Sequence, residues 1–415
     1  MLDDLLSRGA LVALFYVAVA LGIYAYRDKF EFEGIIAMYR TKLGLKWMDQ
    51  LANNYPTTMR WLGITGIAVC YAFMGLMLLL VAFSIYTTLF VPDAPPAFTP
   101  ILPGVPIPGS PVYLPFFQGF IAIAAVVALH EFAHGVISRA FDIDVKSSGF
   151  ALLGPLPGAF VEPDEDQLEA ASSTARQSMF AAGPYWNLLL AIPIFFVVAG
   201  GVALTSNAHT TTGTTITGFV DNTTDAYTEL SVGDTITGID NQTINSTPAL
   251  LAALQQTTPN QTVQVSTTEK TSTVTLAQPP RGDAGYLGIT ARTAYQPRQT
   301  TTGNFVSAVG PAWYWFMGDF RGYVSSPWQW PIVNVFSPTF TGQLGLLGWI
   351  FLVTTGLAGA NLLPIGPLDG GRMVHDTLQN VFAEQTADAV MAGITKTLFL
   401  IVLFLLFYPI ITSFF

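Results

Sequence analysis

Cysteine is almost missing from this chain. Cys70 is the one thiol in 415 residues, so no intrachain disulfide can form. It sits in an apolar run and reads as a packed core thiol. Charge is scarce as well: Asp, Glu, Lys and Arg make up 11% of the residues, against about 25% in soluble domains. The 17 basic residues are outnumbered by 27 acidic ones, and the net charge of −10 argues against a nucleic-acid partner. Histidine is rarer still, with 4 in the whole chain. What remains is apolar, 51% hydrophobic by count with a mean hydropathy of +0.48. Such a composition reads as a polytopic α-helical membrane protein whose surroundings are a lipid bilayer.

The apolar runs predict about six transmembrane helices, each near the length needed to span. They fall at about 9–26, 61–90, 116–137, 178–204, 344–363 and 398–411. The N-terminal run has no small-residue cleavage site after it and reads as a retained helix. Residues 1–91 are expected to hold two helices joined by a basic loop carrying Arg27, Lys29, Arg40, Lys42, Lys46 and Arg60. The positive-inside rule puts that loop in the cytoplasm. Residues 92–115 are rich in proline and read as an external linker. Residues 116–205 form a first pair of helices around a Gly- and Pro-containing stretch, Gly158-Ala159-Phe160-Val161, expected as a hairpin or re-entrant loop. The acids Glu162, Asp164, Glu165, Asp166 and Glu169 that follow read as a solvated face.

At Thr205 the composition turns polar and threonine-rich. Residues 206–300 read as a small extracytoplasmic α+β domain. A short strand enters through Gly233-Asp234, a small helix starts at Thr247-Pro248, and strands are expected near Val263–Val265 and Thr273–Leu276. Four Asn-x-Ser/Thr sequons cluster there, at Asn222, Asn241, Asn245 and Asn260. Residues 301–341 are dense in aromatics from Trp313 to Phe336 and read as an interfacial segment. Residues 342–415 hold the last two helices.

The polar groups inside the apolar runs are few, and each is costly there unless used. His130-Glu131-Phe132-Ala133-His134 lies at the end of the third run. On a helix the two imidazoles leave one face about 6 Å apart along the axis, the spacing for one metal ion. Glu131 can then serve as the general base toward water at the metal. A catalytic zinc takes three protein ligands, so a third is missing. His209 is placed outside and His375 is too far along. Asp369, at a helix break beside Gly370 and Gly371, falls at about the same depth and is assigned as the third ligand to a single Zn2+. Asn187 and Asn361 could hold a substrate backbone or a developing oxyanion, though Asn187 could equally glue two helices together.

This ordered set of His130-Glu131-x-x-His134, Gly183-Pro184-x-x-Asn187, and Asn361-x-x-Pro364 leading to Leu368-Asp369-Gly370 resembles the site-2 protease family of intramembrane zinc metalloproteases. The hairpin stretch resembles that family's membrane-associated hairpin, and the polar insert resembles a PDZ domain. The resemblance implies cleavage of a single-pass membrane protein within or near its transmembrane helix, in regulated intramembrane proteolysis. It also implies an active site toward the cytoplasmic side of the cell membrane. The PDZ-like insert lacks an obvious carboxylate-binding loop. Rival readings are a prenyl-protein protease, a catalytically inactive membrane scaffold, or an ion-coupled transporter using the buried His/Asp cluster. The sequence names neither a particular substrate nor an oligomeric state.

Overall fold

The computed structural model describes residues 2–34, 36–91, 96, 98–110, 112–153, 156–220, 224–279, 283–318 and 344–412. Most of the aromatic segment, from residue 319 on, and Asn222 lie outside the described residues. The described residues divide into two compact units, one of residues 2–198, 316–318 and 344–412, the other of residues 199–315.

The first unit begins with α1 (Leu2–Ala25). The basic stretch after it, expected as a loop, is folded. It forms β1 (Glu31–Glu33), β2 (Ile36–Thr41) and α2 (Leu45–Asn54) before α3 (Pro56–Phe90) starts on its proline. α4 (Phe116–Ala140) carries the His-Glu-x-x-His stretch. The hairpin of β3 (Val145–Leu153) and β4 (Leu156–Pro163) follows, then α5 (Glu165–Ala170) and α6 (Ser173–Ala208). The strands join in one antiparallel sheet of order β1-β2-β3-β4, with Met38 opposite Ala151 and Arg40 opposite Gly149. Gly149 is required there, because a Cβ would strike the Tyr39 carbonyl and the Phe160 ring.

The basic residues have specific structural work. Arg40 pairs with Glu31 at 2.7 Å and with Glu162. Arg60 donates from Nε to the Ala140 carbonyl at 2.5 Å and pairs with Asp142 at 2.7 Å, so a cation closes the C-terminus of α4. The acids near Glu162 are therefore not simply a solvated face. Asp164 caps α5 by accepting the Gln167 N–H, and it also pairs with Lys146 at 3.0 Å. Those contacts hold its carboxyl below the usual range, the backbone donor contributing most. α2 is amphipathic and turns Met48 and Ala52 inward. Met48 lies against α4 at Gly135, where any Cβ would meet its sulfur.

α10 (Leu346–Asn361), α11 (Asp369–Gln379) and α12 (Glu384–Thr412) complete the unit. The chain between α10 and α11 doubles back tightly. A Cβ at Gly370 would collide with the Leu362 backbone, and one at Gly371 with that of Ile365. Among the described residues, α3, α4, α6 and α12 are long and apolar enough to cross a membrane. Val12–Ala25 and α10 are shorter apolar helices.

The second unit is built on a six-stranded antiparallel sheet. Its elements are β5 (His209–Phe219), α7 (Asp225–Glu229), β6 (Thr235–Ile239), β7 (Gln242–Thr243) and α8 (Thr247–Leu254), then β8 (Thr262–Thr267), β9 (Thr271–Thr275) and β10 (Ile289–Pro297). The order is β10-β5-β6-β8-β9, with β7 paired to β6. Ile216, Ile236, Val263, Val265, Val274 and Leu276 form its core with Leu250 of α8. Ser246 caps α8 by accepting the Ala249 N–H. α9 (Thr301–Met317) follows, bent at Gly310, and occupies the start of the stretch expected to be interfacial.

Candidate active site

α4 presents His130 and His134 on its buried face, where they are 4% and 9% exposed. Their Nε2 atoms lie 3.2 Å apart. Asp369, the first residue of α11, reaches both: Oδ2 is 3.1 Å from His130 Nε2 and Oδ1 is 3.5 Å from His134 Nε2. One donor atom from each of the three residues lies within 4.8 Å of the others, a group that could hold a metal ion. The tight turn at Gly370 and Gly371 is what lets the carboxylate arrive there.

The neighbours of the imidazoles fix their orientation. His134 Nδ1–H donates to the Met179 carbonyl at 2.7 Å, which leaves the Nε2 lone pair facing the cluster. The side-chain amide of Asn187 is 3.1 Å from His130 Nδ1. Asn187 is fully buried behind that ring, and its backbone carbonyl accepts the Thr354 hydroxyl of α10 at 3.1 Å. Asn361 lies on the other side, its amide nitrogen 3.3 Å from His130 Nε2. Glu131 is turned toward the hairpin, where Oε2 accepts the Val161 N–H of β4 at 3.1 Å.

Gly183 makes room for the cluster. A Cβ at this position would intrude on the Nε2 atoms of both histidines. Two imidazole nitrogens, one carboxylate and this cleared space suit a three-ligand metal site with an open position. The sequence set Gly183 beside Pro184 in a helix, a hint of close approach, without saying what approached.

A second buried polar group, which the sequence reading passed over, anchors α11 to α6. Arg176 Nε donates to Asp376 Oδ1 at 2.5 Å. Gln177 Nε2 donates to the Met373 carbonyl at 2.8 Å and to Asp376 Oδ2 at 3.0 Å, and the Ser173 hydroxyl donates to the same carboxylate. Adjacent Arg176 and Gln177 at the mouth of an apolar helix were the available signal. The remaining histidines stand apart from the cluster. His375 pairs with Asp388 at 2.7 Å. His209 belongs to the second unit, where its Nδ1–H donates to the Thr205 carbonyl.

Helices long and apolar enough to cross a membrane thus accompany a His, His, Asp cluster with a glutamate beside it, the arrangement of a multi-pass membrane protein. The chain belongs to peptidase family M50, the site-2 protease family, whose sequence pattern matches residues 118–306 and 323–405. It is 34% identical over 172 residues to an uncharacterized protein of Methanocaldococcus jannaschii, a match covering 40% of this chain and 45% of that protein. The chain thus spans less than half the length of this relative.

Proposed function

We propose that the protein is an intramembrane zinc metalloprotease. It hydrolyses a peptide bond within or near the transmembrane helix of a single-pass membrane protein, as a step of regulated intramembrane proteolysis. The observation that carries this reading is the convergence of His130, His134 and Asp369 with Glu131 next in sequence to one of the imidazoles. His130, His134 and Asp369 would hold one Zn2+, which would supply Lewis-acid polarisation of the scissile carbonyl and lower the pKa of water toward neutrality. Glu131 takes the proton from the attacking water and passes it to the leaving amine. Asn361, close to His130 Nε2, steadies the substrate carbonyl as charge develops on its oxygen. Asn187, whose side-chain amide lies 3.1 Å from His130 Nδ1, orients that ring from behind.

The second unit, an antiparallel sheet with the two short helices α7 and α8, supports reading residues 206–300 as a PDZ-like extracytoplasmic module. The cluster of basic residues between α1 and α3 supports a cytoplasmic position for that side of the cell membrane. The α4 histidines lie past the midpoint of their helix, nearer that side.

The test is metal content together with cleavage of a model transmembrane substrate in liposomes. The native chain should hold about one zinc and cut. Glu131→Gln should keep the metal and lose at least about a hundredfold in rate. Asp369→Ala should lower both. Undiminished cutting by Glu131→Gln overturns the assignment of the base. A native chain without metal in zinc-replete medium favours a scaffold or transporter.

A further inference from the structure

A groove opens directly beside Glu131, and none of the catalytic assignments above uses it. Its volume is about 170 Å³, and its lining comes from β2, the turn before α2, α2, α4, β3 and β4. Its apolar lining includes Ala128 and Phe132 of α4, Phe160 of β4, and Leu43, Trp47 and Met48. Leu43 and Trp47 are 62% and 63% exposed, so two of its large apolar side chains are left without burial. The hydroxyls in the groove are already engaged: Thr41 Oγ1 donates to the Ser148 carbonyl at 3.2 Å, and Ser148 Oγ to the Leu43 carbonyl at 2.5 Å. The space is therefore suited to an apolar guest. An apolar cavity of about 150 Å³ accepts a benzene ring, so this one accommodates a leucine or phenylalanine side chain.

We propose that this groove receives the apolar side chain of the substrate residue flanking the scissile bond. Its size limit is set by Leu43, Trp47 and Met48, which precede the part of the chain that matches the family, from residue 118 onward. The inference rests on the protease reading. Its occupant follows from continuity: Glu131 lines the groove and is the proposed base, so a chain held for attack has its next side chain at the groove mouth. The segment between α1 and α3 thereby becomes a specificity element of this protein. Its position is fixed by the pairing of β2 with β3 and by Met48 seated on Gly135.

The experiment uses the full chain in liposomes and a substrate series differing only at the residues flanking the cut, carrying Ala, Leu, Phe or Asp. Leu and Phe should exceed Ala in kcat/KM by about tenfold or more, with Asp lowest. Ala128→Leu, which narrows the groove, should shift the large-to-small ratio toward Ala by about tenfold. Equal treatment of Ala, Leu and Phe by the native chain overturns the proposal. So does an equal loss on every substrate in Ala128→Leu. A binding readout separates this idea from the catalytic one. A benzophenone side chain placed at Leu43 in the Glu131→Gln background should crosslink the Leu substrate at a residue flanking the cut. Crosslinking of the Leu substrate without any cleavage by the native chain leaves an apolar binding groove but overturns both the protease reading and the subsite role that rests on it. Cleavage without that crosslink keeps the protease and sinks the groove.

Discussion

In β8 and β9 of the second unit, Val263, Val265 and Val274 are buried while Thr262, Gln264, Thr271 and Thr273 face out. In the helices of the first unit the pattern runs the other way in places. Leu79 and Phe83 of α3 are 69% and 61% exposed, whereas His130, Gln177, Asn187, Thr354 and Asp376 are buried. One unit excludes water from its apolar side chains in the ordinary way. The other offers apolar side chains to lipid and keeps polar ones for the interior, where the hydrophobic effect no longer selects what is inside. The lesson is that burial means different things in the two halves of one chain. In the sheet unit a buried residue is a packing residue. Among the helices a buried polar residue is the informative one, because hydrocarbon gives it no other partner.

The comparison can be broken most decisively at the polar interior. Asp376→Ala leaves Arg176 facing a buried gap and should destabilise the helical unit by about 3–5 kcal/mol. The low end is expected, since Arg176 keeps its bond to the Ala171 carbonyl at 2.7 Å. Thermal unfolding in detergent reads the loss, and zinc content should fall with it because α11 carries Asp369. Ile236→Ala, in the sheet core, should cost about 3 kcal/mol by cavity formation. Hydrogen exchange should then rise through β6 and β8 and stay unchanged at α4. A simultaneous loss at α4 would show that the units do not melt separately. Last comes Phe83→Ala on the exposed face of α3, expected within about 0.5 kcal/mol of the native protein. A large loss there in liposomes would mean that the face packs against protein instead of lipid.

Legibility followed the same divide. The His-Glu-x-x-His helix and the Asp369 turn could be read because each is local: imidazoles one helical turn apart, then prolines and glycines that force a reversal. The β3–β4 hairpin was legible too, but its extension into a sheet by β1 and β2 was not. β2 pairs with β3 across more than a hundred residues, and the basic side chains of its neighbourhood suggested a loop. Their distant partners, Glu162 for Arg40 and Asp142 with the end of α4 for Arg60, lie 122, 82 and 80 residues away. β5 was hidden for a different reason. Its threonines are good strand formers but are not apolar, so the two-residue alternation that marks a strand was diluted. The contact between Asn187 and His130 needed the third dimension altogether, since the two lie on different helices.

The cluster is split along the chain in a way that bears on how the protein is made. His130 and Asp369 are 239 residues apart. At ordinary rates of synthesis the carboxylate emerges roughly 10 to 50 s after the imidazole. For that interval the nascent chain holds the two imidazoles and the glutamate of α4 but no third donor. Whatever else regulates the protein, the order of its residues withholds the complete cluster until the sheet unit between them has been synthesised.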